Sequence, residues 1–290
     1  METFEYIKPK SLEDAINALN TNKNAFVLAG GTDLLVGMKY NSIKPECIVD
    51  IKEIPSLNTF DENRGWRFGA LTTIRDIEVS DRLKKVMPFL NQTAKALGSI
   101  QIRNRATIGG NLCNASPCSN FGAMFLAMDA QLLIISKDGE RQMALQDFFC
   151  GPNQTVLKKD EVLTEIIVPE DSCKAEGIFL KHSAAKSNDL GLVNIAITLQ
   201  REPGTNLCKK TAIAMGAVAP TPMRAKKAEA ILNNNILTPD LIAKAAEEAS
   251  KEATPISDFR ASAEYRRSLV ATMVAKGINT LLKSSKYTKG

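Results

Sequence analysis

Leu28-Ala29-Gly30-Gly31-Thr32-Asp33-Leu34-Leu35 is the stretch from which the rest of this chain is read. Ahead of the glycines runs Ala25-Phe26-Val27-Leu28, a short apolar segment of strand character. The glycine pair ends that strand in a tight turn, and Leu34, Leu35 and Met38 begin a short helix. Glycine has no Cβ, so the backbone N–H groups of such a turn can come close to an anion. A helix start behind the turn adds a favourable dipole, and a diphosphate is the group this suits. The spacing is not GxGxxG, so the Rossmann fingerprint is absent. Taken alone, a glycine pair of this kind is more often a plain left-handed turn.

A second segment of the same character lies far downstream: Thr107-Ile108-Gly109-Gly110-Asn111-Leu112-Cys113-Asn114-Ala115-Ser116-Pro117. It repeats the glycine pair and adds four short hydrogen-bonding side chains, Thr107, Asn111, Asn114 and Ser116. Two uncharged segments rich in N–H groups shift the reading from turn to cradle, because a diphosphate can be held without Lys or Arg. Thr107 to Asn120 reads as a long loop, and its low charge and apolar flanks favour a functional loop over a disordered one. Just before it, Arg103 and Arg105 face an anion, a partner or simply water.

Outward from these segments, Ser11 is an N-cap for a helix on Leu12, Ala15, Ile16 and Leu19, with Asp14 three residues on. Strands follow at Cys47-Ile51, Trp66-Ala70, Gln131-Ile135 and Val162-Val168, with a helix around Phe89-Leu97. After Pro169-Cys173 come three extended runs, Gly177-Ser183, Leu192-Gln200 and Leu207-Val218. Thr238-Pro239-Asp240 opens a helix, and a last one carries Tyr265 to Leu281. Strands followed by helices predict an α+β C-terminal part. The Lys-rich tail from Lys283 to Gly290 is expected to fray.

Composition narrows the function classes. The chain has 290 residues, 44% hydrophobic and 24% charged, enough for two or three subdomains. A net charge of +5, dispersed along the chain with one Trp and four Tyr, argues against nucleic acid. No run approaches ~18 apolar residues, and the acidic start lacks a signal pattern, so a cytoplasmic protein without a membrane span is expected. Six scattered cysteines without a CxxC read as small buried thiols rather than disulfides or cluster ligands. A single histidine, His182, leaves little room for side-chain acid–base or metal chemistry, so redox work would need an organic cofactor.

These segments resemble the FAD-binding medium subunit of the molybdenum hydroxylases, the xanthine dehydrogenase family. The likeness is carried by Ala29 to Val36, Gln101 to Asn104, Thr107 to Leu112 with Ala115-Ser116-Pro117, Gly216 to Pro222 with Arg224, and Arg260-Ala261-Ser262 with Tyr265-Arg266. The resemblance implies an α+β, PCMH-type (vanillyl-alcohol oxidase-like) FAD-binding fold. Two N-terminal α+β subdomains, 1–55 and 56–172, would hold the flavin, and a C-terminal part, 173–290, would add a three-stranded antiparallel sheet with helices. It implies a non-covalent FAD held by Phe26, Val27, Leu28, Ala29, Gly30, Gly31, Thr32 and Asp33 and by Thr107, Ile108, Gly109, Gly110 and Asn111. Ile102, Ser116, Asn120, Leu163 and Lys181 would line the rest of the cofactor, with Asp189, Leu190 and Val193 in a segment closing over the ring. Many relatives carry Asp where this chain has Asn120, and often Arg near Ala185.

No catalytic side chain and no metal ligand is nominated in this chain. Molybdenum cofactor and [2Fe–2S] clusters would sit on partner subunits, a large molybdopterin-binding chain and a small iron–sulfur chain. Electrons would pass through FAD to NAD+ or another acceptor. Two alternatives stand beside this: a self-contained flavin oxidase or reductase, poorly served by one histidine, and a scaffold that has lost its flavin. The substrate of the assembled enzyme is not legible here, because it would be oxidised on another subunit.

Overall fold

The computed structural model describes residues 3–61, 66–185 and 189–283. The tail expected to fray therefore lies, apart from Lys283, outside the described residues.

The first sheet is small and parallel, ordered Glu5–Ile7, Cys47–Asp50, Ala25–Leu28. Its middle strand, Cys47–Asp50, is buried along its whole length, as a strand covered on both faces must be. Helix Leu12–Thr21 covers it with Ala15, Ile16, Ala18 and Leu19, and the Ser11 hydroxyl accepts from the Asp14 N–H at 3.1 Å. The edge strand Glu5–Ile7, with two of its three residues exposed, has no apolar run to betray it in the sequence.

The second sheet has five strands, Phe60–Asp61, Trp66–Gly69, Val162–Val168, Gln131–Ser136 and Gly139–Ala144, all antiparallel. The polar hairpin partner Gly139–Ala144 escaped the sequence reading because a half-exposed edge strand needs no apolar alternation. Seven residues of Val162–Val168 run through the middle, and a register shift between Leu163 and Glu165 breaks the side-chain alternation there.

The third sheet is antiparallel with Glu176–His182, Val193–Arg201, Cys208–Gly216 and a two-residue fourth strand, Met223–Arg224. The expected three strands are the long ones. The fourth is too short to leave a periodic signal. Helices Lys226–Leu232, Pro239–Glu252 and Ala263–Lys283 supply the apolar cluster that covers one face, with Val193, Ile195, Ile197 and Leu199 pointing into it. The alternate residues Ala196, Ala212 and Ala214 join the core of the N-terminal part instead. Between the two lies helix Asn120–Ala127, buried on every side, and Thr198 donates to its end at Ala127 O over 2.6 Å.

Candidate functional site

Thr107 to Asn120, expected as a loop, contains the helix Ile108–Cys113 and runs into the start of another at Asn120. Thr107 caps helix Ile108–Cys113, its hydroxyl accepting from the Gly110 N–H at 3.0 Å. Ala115 then turns the chain at a φ of +48°, and Ser119 caps the next helix. Sequence reasoning missed these elements because Gly, Asn and Ser are poor helix formers. Here caps and tertiary burial override that preference.

The two glycine segments meet, and all four glycines border one crevice. Gly30 lies against the backbone of Arg105 and Ala106, so closely that a Cβ there would stand 2.0 Å from the Arg105 carbonyl oxygen. On its other side the Arg105–Gly109 segment is zipped to residues 70–74. Ile74 N–H donates to Ala106 O, Ile108 N–H to Thr72 O and Gly109 N–H to Ala70 O. Gly109 has to be small, since its Cβ would meet Ala70 Cβ at 2.6 Å.

A crevice of about 910 Å³ opens along this junction, at the upper end of the ~300–1,000 Å³ typical of small-molecule sites. Phe26, Val27, Ala29, Gly30, Gly31, Thr32, Asp33, Ile102, Thr107, Gly109, Gly110, Asn111, Ser116, Asn120, Leu163 and Lys181 all line it. Leu28 and Ile108 do not. Leu28 turns inward to Met38 and Ile48, and Ile108 is buried in the large N-terminal core. Each sits inside a regular element that points it away from the opening. Of the segment expected over the ring, Asp189 and Leu190 border the crevice, whereas Val193 is buried in the C-terminal core. Sequence reasoning missed several walls, among them Leu97 and Leu157, which carry no glycine or polar signal of their own, and Asn153, which lies outside both glycine segments.

The donors are unevenly distributed. Gly30, Gly31, Thr32, Asp33 and Leu34 give their backbone N–H to no described residue. Across the crevice, the N–H groups of Ile108, Gly109, Gly110 and Asn111 are already engaged with Thr72, Ala70 and Thr107, and only that of Thr107 is left. The second segment therefore contributes closeness and side chains rather than an amide cradle. Asn111 accepts from the Ser119 hydroxyl at 2.6 Å through Oδ1, which leaves its Nδ2 for the crevice. Asn120 is 4% exposed, and its Nδ2 is buried without a partner.

Two sequence expectations about charge and thiols change. Arg103 is not an anion ligand. It is tied to Glu78 at 2.7 Å and to the carbonyls of Leu97 and Gly98. Cys47, Cys173 and Cys208 are buried thiols, but Cys150 is exposed and Cys113 and Cys118 border the crevice. Burial pushes the Cys113 thiol up to about 12. Lys181 also borders the crevice, donates to Ala96 O at 3.0 Å, and has its pKa lowered by burial.

These features fit an FAD-sized dinucleotide: a long cleft, a run of unpaired amides at a glycine turn, and an orphaned buried donor. The comparisons agree. Residues 2–171 match the family model described as FAD binding domain in molybdopterin dehydrogenase, and residues 178–281 match CO dehydrogenase flavoprotein C-terminal domain. The chain is 32% identical over 275 residues to glyceraldehyde dehydrogenase medium chain from Sulfolobus acidocaldarius, covering 94% of this chain and 96% of that one. It is 31% identical to a putative xanthine dehydrogenase FAD-binding subunit of Escherichia coli, with 94% of each covered. Among solved structures, carbon monoxide dehydrogenase from Hydrogenophaga pseudoflava superposes with a TM-score of 0.92 at 31% identity, covering 97% of this chain and 98% of that chain. With family models over both halves and relatives matched nearly end to end, this chain belongs to the FAD-binding medium subunits of the molybdenum hydroxylase family of oxidoreductases.

Proposed function

We propose that the chain binds FAD non-covalently in the crevice and relays electrons from a partner's [2Fe–2S] clusters to NAD+ or another acceptor. The observation that carries this is the set of unpaired amides from Gly30 to Leu34, held against Arg105–Gly109 at the mouth of one long cleft. When bound, FAD supplies the redox chemistry that the side chains here do not. The protein's share is binding and positioning. The 30–34 amides and the Thr107 N–H would hold the diphosphate, as backbone nests do. Asn111, Ser116 and Asn120 would order the sugar portions. Leu163, re-aimed where the register of its strand shifts, would give an apolar wall for a ring system, and Lys181 would set a cation beside it.

In this reading residues 1–55 and 56–172 form the two flavin-holding subdomains, and 173–290 the cover. The substrate is oxidised on a molybdopterin-binding large subunit, with a small iron–sulfur subunit between, in the cytoplasm. Among the described residues no helix is long and apolar enough to cross a membrane.

The test is direct. Titration of the purified, flavin-stripped chain with FAD is expected to give saturable binding near one equivalent, with a shifted flavin absorption band. A chain that takes up no flavin when FAD is supplied overturns the reading. Co-purification with an iron–sulfur chain and a molybdopterin chain tests the partners separately.

A further inference from the structure

We infer that Arg266, which lies behind the crevice walls rather than among them, is a positioning residue for the cofactor site: its guanidinium ties the 189–192 segment to the wall that carries Ser116 and Cys118. The inference rests on the FAD reading and adds what holds two sides of the crevice in place.

The Arg266 side chain is only 3% exposed. Its Nη1 donates to Leu192 O at 2.7 Å and to Ala217 O at 3.2 Å, and its Nη2 to Asp258 Oδ1 at 2.9 Å. Both carbonyls belong to stretches that end on the crevice. Leu192 follows Leu190 and Gly191, which border the crevice, and its own N–H donates to His182 O at 2.7 Å. Ala217 gives its N–H to Pro117 O at 2.7 Å, and Pro117 stands between the crevice residues Ser116 and Cys118. Ala217 has a φ of +64°, a left-handed conformation that a residue with a Cβ keeps only when its surroundings impose it. Here the bonds on its N–H and its C=O impose it.

The guanidinium itself is held. The Asp258 carboxylate that receives Nη2 also accepts from the N–H groups of Arg260 at 3.0 Å and Ala261 at 3.1 Å. A planar fork fixed at one nitrogen has the direction of the other fixed too. Nη1 therefore sets how the Leu192 and Ala217 carbonyls stand relative to each other. Leu192 is 4% and Ala217 9% exposed, so water is a poor substitute for the shared donor. Without it, two acceptor oxygens face each other unpaired, and the 189–192 segment and the 116–118 wall lose their common anchor.

The experiment uses the full chain, stripped of flavin and titrated with FAD, with a urea midpoint for every variant. Arg201 is the matched control. Its side chain is likewise 3% exposed and paired with a carboxylate, Glu176 at 2.8 Å, but it sits at the end of strand Val193–Arg201 opposite Val193. Arg266→Lys keeps the charge and loses the fork. FAD affinity is expected to fall about tenfold, the worth of one charge-assisted bond, and bound FAD to protect Cys118 from maleimide less than in wild type. Arg201→Lys, or Glu176→Gln if that variant does not fold, is expected to lower the urea midpoint and leave FAD affinity and Cys118 protection as in wild type. Arg266→Lys binding FAD as wild type does overturns the inference. An equal loss of affinity in the control overturns it too, because general destabilisation would then be the cause. If Arg266→Lys does not fold, Asp258→Asn, which loosens the hold on Nη2, decides in its place: weakened FAD binding is expected, and wild-type binding overturns the inference. A wild-type chain that binds no FAD is a different failure, that of the flavin reading.

Discussion

Gly30 and the carbonyl of Arg105 touch across 75 residues of sequence, and a Cβ at position 30 would stand 2.0 Å from that oxygen. This contact holds the two glycine segments together, so the two halves of the site cannot be varied independently. Gly30→Ala is expected to separate them, lowering stability by ~1–3 kcal/mol, the usual cost of overpacking, and removing FAD binding with it. Gly110→Ala behaves differently. Its Cβ meets only Thr107 Oγ1, at 2.9 Å, and alanine favours a helix. Thermal melts of the flavin-free forms should show an unchanged or raised midpoint for Gly110→Ala, while FAD titration shows weakened binding. Equal midpoints for both variants would contradict the contact.

Arg224 ties the C-terminal sheet to the end of helix Asn120–Ala127. It is bonded to Glu229, to Asp129 at 2.6 Å and to Leu126 O at 3.0 Å, with its side chain only 7% exposed. Arg224→Met leaves the nearly buried Glu229 carboxylate with only a distant cation, Lys226 at 4.0 Å. The expected cost is ~3–5 kcal/mol, read as a shift in the urea midpoint. A shift below about 1 kcal/mol, the surface-pair range, would mean the network relaxes.

Acid stability should depend on Asp258. Burial raises its carboxyl, but the N–H groups of Arg260 and Ala261 and the Arg266 guanidinium outweigh that and hold it down at about 2. A carboxyl lowered on folding stabilises above its ordinary value near 3.8, and the contribution fades as pH falls toward 2. Asp258→Asn should therefore be less stable than wild type at neutral pH and converge with it in acid. Parallel curves of unfolding free energy against pH would refute this.

The six thiols should separate by environment. Cys150 is exposed, whereas burial pushes Cys113 to about 12 and Cys173 and Cys208 to about 11. The thiolate is the reactive form, so maleimide at neutral pH is expected to modify Cys150 first, and Cys150→Ser should abolish the fast phase. FAD should further protect Cys113 and Cys118, which border the crevice. Mass spectrometry of the labelled peptides checks both statements.

Much of the fold was legible wherever a local rule acts. Ser11 and Thr238 cap the helices their sequences announce. The long apolar strands fall where they were expected. Segments whose burial comes from elsewhere were illegible. Helix Ile108–Cys113 has Gly109, Gly110 and Asn111, residues that prefer turns, at its centre, and strand Gly139–Ala144 is polar throughout its first half. Arg103, left open between an anion, a partner and water, finds Glu78 25 residues away.

Sequence alone determined which backbone segments are bare enough to approach a phosphate, because the absence of a Cβ at Gly30, Gly31, Gly109 and Gly110 is written in the chain. It also placed both segments in one family pattern. Tertiary structure alone decided which amides remain free. The 30–34 turn keeps its N–H groups, and the 108–111 segment gives its own to Ala70, Thr72 and Thr107. Hydrogen-bond donors are shared among groups distant in sequence, so their availability becomes defined only once the chain has closed on itself.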